Sequence, residues 1–168
     1  TLYFENDHNN IINTLLSKAA AAYGSGDAER FLLQAYRLAP THLSVLVGLY
    51  RYYFYQHRYE DALNVADQLL SAVAPRIEFP QHWRHLQADH LGQGVMISIG
   101  FVRFYLLVLK AAAYVQLRLG NFQEGIDMLR KVTELDSADR LGAKLLLDIL
   151  NQNSAEVLHF PVMALKGA

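Results

Sequence analysis

His82, His85 and Asp89 follow one another at three- and four-residue intervals in QHWRHLQADH. On a helix spanning 81–90 that spacing would set two imidazoles and a carboxylate on one face, where a metal ion could be held. Arg84 lies inside the same stretch, and neither a cysteine nor an HExxH arrangement accompanies it, so solvated polar side chains are the expected reading, with no metal and no cofactor. Trp83, the single tryptophan, is expected to be a packing anchor. The run YRYYFY at 50–55 invites stacking on bases, but a helix distributes six successive side chains around its axis, so most of these rings belong to a core. A glycine-rich phosphate loop, a GxSxG elbow and a distinctive carboxylate pair are all missing. The chain is therefore expected to be non-catalytic, with no catalytic residue.

Composition narrows the classes further. Without cysteine there are no disulfides, thiolate nucleophiles or cysteine zinc sites. A net charge of −1 disfavours nucleic acid as a partner, because phosphate binding needs a concentrated basic surface. Hydrophobic residues make up 52% and charged residues 18% of 168 positions, enough for one domain with a real core. The beginning, TLYFEN, shows no charged-then-apolar signal, and a soluble, cytoplasmic protein is expected. Residues 95–117, VMISIGFVRFYLLVLKAAAYVQL, form the most membrane-like stretch, but Arg103 and Lys110 interrupt it, and a buried helix is expected rather than a span.

Helix signals dominate the remainder. Asn6 or Asp7 caps a first helix carrying Ile11, Ile12, Leu15, Leu16, Ala19 and Ala20 at helical spacing, and GSGD at 24–27 ends it. A second helix runs to Pro40, a third from Leu43 to Gln56, and a fourth from Tyr59 to about Val73. The insert at about 75–100 is too short for another hairpin and has room for an extended piece, a short helix and a prolonged lead-in to the next helix. A long helix is then predicted from roughly Ser98 to Leu119, followed by Phe122 to Leu135 and a last helix capped by Ser137 or Asp139 that ends near Gln152. One helical domain, 1–153, is thus followed by a tail, 154–168. Pro161 bars that tail from continuing as helix, and its apolar VLHFPVMAL is expected to dock on the domain or on a second copy, giving a possible homodimer.

Two stretches repeat each other: HRYEDALNVADQLLS at 57–71 and GNFQEGIDMLRKVTE at 120–134. Each opens with a turn pair, follows with an aromatic residue (Tyr59, Phe122), and places a small residue (Ala62, Gly125) where two helices would approach closely. Ala28 and Ala62 stand 34 residues apart, whereas 63 separate Ala62 from Gly125, which leaves an insert of about 29 residues. In its middle unit, Leu46, Leu49, Tyr53, Tyr59 and Ala62, the chain resembles the tetratricopeptide repeat (TPR) family over about residues 9–74 and 106–151. Tyr50 departs from that pattern, which places glycine there. The resemblance implies an all-α fold of antiparallel helix–turn–helix repeats stacked as a short right-handed solenoid.

It also implies a non-catalytic adaptor or scaffold that takes a protein or peptide partner in a groove lined by the first helix of each hairpin. Carried onto this chain, the groove residues are Asn10, Asn13 and Ser17, then Arg51, Phe54 and Tyr55, then Lys110, Tyr114 and Arg118. Their charges are all positive, which suits an acidic or carboxylate-terminated segment. The two-lysine, two-asparagine clamp of some family members is not reproduced. Two other classes stay open, a dedicated bacterial chaperone of secreted proteins and a structural homo-oligomer. LYRYYFYQHRYEDAL, at 49–63, also resembles small bacterial repeat proteins found beside nitrogen-fixation genes, which implies an accessory or assembly role.

Overall fold

His57 and Gly120 stand 63 residues apart and the backbone does the same thing at both. Each has positive φ, +57° and +83°. The His57 N–H donates to the Phe54 carbonyl (3.1 Å) and the Arg58 N–H to that of Tyr53 (2.9 Å); Gly120 donates to Leu117 (3.1 Å) and Asn121 to Gln116 (2.9 Å). This left-handed cap satisfies the last carbonyls of one helix and turns the chain directly into the next. Arg58 and Asn121 then accept the first hydrogen bonds of the following helices, from Ala62 and Gly125, both at 3.0 Å.

The computed structural model describes the backbone of residues 2–158 and the side chains of 9–152. These residues form seven helices: α1 (Leu2–Ala21), α2 (Ala28–Leu38), α3 (Leu43–Tyr55), α4 (Tyr59–Val73), α5 (Ala88–Arg118), α6 (Phe122–Leu135) and α7 (Ala143–Leu158). Among the described residues there is no strand. Every helix packs on the next one in the chain, and α1 also touches α3. The shared core takes Ile12 from α1, Leu32 from α2, Leu46 and Leu49 from α3, Ala62 and Ala66 from α4, Leu109 and Ala113 from α5, and Leu129 and Val132 from α6. Of the aromatic run, Tyr52 and Tyr53 are buried, Tyr50 and Phe54 half-buried, and Tyr55 exposed.

The small residues after the turns do mark close approaches. Ala62 is fully buried. At Gly125 a Cβ would fall 2.8 Å from Leu117 Cγ and 2.9 Å from the Ala113 carbonyl oxygen, so α5 and α6 leave no room even for a methyl group.

The insert carries an extended piece, short helical turns and a helical lead-in to α5, the contents its length allows. Residues 74–87 carry two short 3-10 turns, Ala74–Ile77 and Trp83–His85, and the segment from Ala88 to Ile97 is helical, merging into α5 across a sharp bend at Ser98 (φ −160°, ψ 104°). The Ser98 hydroxyl accepts the Phe101 N–H at 3.3 Å and so starts the second arm, where the sequence placed the helix start. A Cβ on Gly94 would lie 3.1 Å from Val102 Cγ2, although eight residues of straight helix span about 12 Å. The first arm therefore folds back against the second. At the other end, Asp139 Oδ1 accepts the Lys144 N–H (2.9 Å) and Asp136 Oδ2 that of Leu141 (2.8 Å), so Asp139 rather than Ser137 serves the first turn of α7. That helix continues to Leu158, beyond Gln152 and across the expected boundary at 153. The expected docking of the tail lies, from residue 159 on, outside the described residues.

Candidate functional site: the face built by the odd-numbered helices

α1, α3 and α5 share one face. The Tyr50 hydroxyl reaches from α3 to the Ala111 carbonyl of α5 (3.4 Å), and the Phe54 and Tyr114 rings meet at 5.9 Å between centroids. Two hollows open along this face. One, of about 530 Å³, lies between α1 and α3 and is lined by Leu16, Ala20, Tyr23, Val47, Gly48, Arg51 and Tyr55. The other, of about 470 Å³, lies between α3 and α5 over Leu43, Val47, Gly100, Phe101 and Phe104. Ser44 and Val47 border both, so the two hollows form one apolar trough across α3.

Charge is sorted along the same lines. Residues 9–21, all of α3 and residues 90–118 contain no Asp or Glu, while they carry Lys18, Arg51, Arg103, Lys110 and Arg118. Carboxylates stand on α2, α4 and α6 instead, at Glu29, Glu60, Asp61, Asp67, Glu124, Asp127 and Glu134. An anion approaching these three stretches meets cations without a carboxylate among their own residues.

The structure distributes the expected groove residues unevenly. Arg51 and the 64%-exposed Tyr55 line the α1/α3 hollow, and Arg51 has neither a hydrogen bond nor an ion pair among the described residues. Burial raises the pKa of neighbouring Tyr23, and the Arg51 charge opposes that rise. Phe54 and Tyr114 belong to an aromatic cluster with Tyr50 and Tyr59. Arg118 lies over the Tyr59 ring at 5.2 Å. Lys110 is half-buried and donates to the Leu141 carbonyl, so its charge secures the chain just before α7. Asn10, Asn13 and Ser17 are exposed on α1, yet the hollow is lined by that helix's apolar Leu16 and Ala20. Sequence reasoning missed these two and also Tyr23, Val47, Phe101 and Phe104. The signal for them is a helix whose small and apolar residues exceed what one packing face needs, as in LLSKAAAAY.

The single helix over 81–90 that would set His82, His85 and Asp89 on one face is not formed, because α-helix begins only at Ala88. His82 and Gln87 have extended backbones (φ −115°, ψ 129°; φ −129°, ψ 167°), and only Trp83–His85 makes a 3-10 turn. His82 Nδ1 accepts the Arg84 N–H at 3.2 Å and its ring stacks on Trp83, while Asp89 belongs to the first turn of α5. Among the described residues no group of three metal-binding side chains converges anywhere.

No protein-family model matches the chain. A protein of Azotobacter chroococcum mcd 1, described as "Uncharacterized 19.8 kDa protein in nifW 5'region", is 52% identical over 146 residues, which cover 87% of this chain and 82% of the relative. At that identity and coverage, the chain belongs to the same family as this Azotobacter protein.

Proposed function

We propose that the chain is a TPR-like, non-catalytic protein-binding module, a short right-handed stack of hairpins whose α1/α3/α5 face receives an acidic segment of a partner protein. The repeat reading is supported by the two turns with matching hydrogen bonds 63 residues apart. One observation carries the binding reading: the stretches 9–21, 43–55 and 90–118 that enclose the apolar trough contain no carboxylate, and Arg51 stands unpaired at its edge. Apolar side chains of the partner supply buried area, and the cations orient its anionic groups. α5 is long and apolar enough to cross a membrane by length and composition. The bend at Ser98 and its packing on α4 and α6 favour a helix packed within the domain.

The test is capture of partners from the native cell by the parent chain, by Arg51→Glu and by Val47→Asp, with the captured proteins identified by mass. Partners held on this face are retained by the parent and lost from both variants. Equal capture by all three overturns the reading. A second reading, an accessory or assembly role in nitrogen fixation, is favoured by the relative's description as lying in the nifW 5' region. It predicts that proteins of that process are among those captured.

A further inference from the structure

A separate cavity of about 230 Å³ opens where the 74–87 connection crosses α4 and α6. It shares no lining residue with the trough. Its walls include Asp67 and Ser71 of α4, His82 and Trp83 of the connection, Tyr105 of α5 and Glu124 of α6. Tyr105 is only 1% exposed, and its hydroxyl is buried without any hydrogen-bond partner. A buried hydroxyl in a polar cavity is a group awaiting a partner, because leaving it unsatisfied is costly. Asp67 makes no hydrogen bond or ion pair among the described residues. Burial raises its pKa, His82 opposes that rise and Glu124 adds to it.

Charge selects the guest. Glu124 and, just outside, Asp127 are bridged by Arg84, whose guanidinium also lies 4.5 Å over the Trp83 ring. That one arginine leaves the Asp67 carboxylate uncompensated, so the site repels anions. A metal ion lacks a third converging ligand. A primary ammonium satisfies what remains: its N–H groups have the Asp67 carboxylate, the Tyr105 oxygen and the Ser71 hydroxyl as acceptors. The volume corresponds to roughly seven or eight water-sized groups, room for a short alkyl chain behind the charged head. We propose that the cavity between α4, the 74–87 connection, α5 and α6 binds a primary ammonium group, with Asp67 as its counter-charge and Tyr105 as a hydrogen-bond acceptor at its base.

Trp83 lines the cavity and is the only tryptophan, so its emission reports occupancy directly. The probes are n-butylammonium, Nα-acetyl-lysine N-methylamide and the neutral isostere 1-butanol, each titrated into the full chain. Saturable change with n-butylammonium but not with butanol supports the site. An equal response to the blocked lysine assigns the group to a protein side chain, and no response to it assigns a free amine. Asp67→Asn should weaken the ammonium response at least tenfold, Tyr105→Phe about threefold, and the distant Asp148→Asn not at all, with helicity by circular dichroism unchanged in each. Absence of a saturable response, an equal response to butanol, or an unweakened Asp67→Asn overturns the proposal.

Discussion

The α3/α4 and α5/α6 hairpins turn with the same hydrogen bonds and differ in how tightly their helices close. At the first, Ala62 fits with its methyl group; at the second, Gly125 faces Leu117 and a backbone carbonyl with no room for one. The turns themselves are bought differently too, since His57 holds a left-handed backbone with a side chain and Gly120 holds it without. A repeat of geometry thus does not require a repeat of residues. Each hairpin meets the same backbone demand with whichever residue its own neighbours permit.

The largest expected effect follows from the tighter pair. Gly125→Leu must displace Leu117 and press on the Ala113 carbonyl, and urea denaturation should show a loss of about 3 kcal/mol. Ala62→Leu, at the looser pair, should cost about 2 kcal/mol by the same measurement. Equal losses at the two sites would erase the distinction between the hairpins. At the turns, Gly120→Ala puts a Cβ at φ +83° and should cost about 1 kcal/mol. His57→Gly relieves the corresponding strain but gives up the contact between His57 Nδ1 and the Tyr59 hydroxyl at 2.9 Å, so its thermal midpoint should stay close to the parent's.

These contrasts explain what was legible beforehand. Pro40, GSGD and Gly120-Asn121 punctuate the chain because each acts on its own few residues of backbone, and the helices between them follow from spacing alone. The fold-back of the first arm of α5 is not legible in the sequence, and Gly92 and Gly94 weaken that arm's helical signal. Gly94 is there because Phe79, Val102 and the Ile77 carbonyl crowd its side, a demand made by the fold-back and not by local propensity. The trough lies between the helices that carry the expected groove residues, but on α1 it is lined by apolar Leu16 and Ala20, where the sequence reading names polar Asn13 and Ser17. In the sequence Lys110 looks like a groove cation, because its acceptor, the Leu141 carbonyl, lies 31 residues away. Nothing in the neighbourhood of Lys110 announces that partner.

Tyr50 offers a small effect at neutral pH and the sharpest contrast between hairpins, because it occupies the position where the repeat resemblance expects glycine. Its hydroxyl donates across to α5, and burial pushes its pKa from 10.0 up to about 12, with Tyr114 adding to the rise. At 3.4 Å the bond is long, and Tyr50→Phe should cost only about 0.5 kcal/mol at pH 7. Alkaline solution reverses the comparison. Between pH 10 and 12 the unfolded chain releases the phenolic proton while the folded one keeps it, so fewer protons are bound in the unfolded state and the parent's stability falls as pH rises. Tyr105, also pushed up to about 12 by burial, adds to that slope. Phenylalanine at position 50 removes one of these contributions, so denaturant midpoints measured from pH 9 to 12 should fall less steeply for Tyr50→Phe than for the parent. An unchanged slope would mean that the phenol already ionises in the folded chain, and that Tyr50 does not seal the seam between α3 and α5.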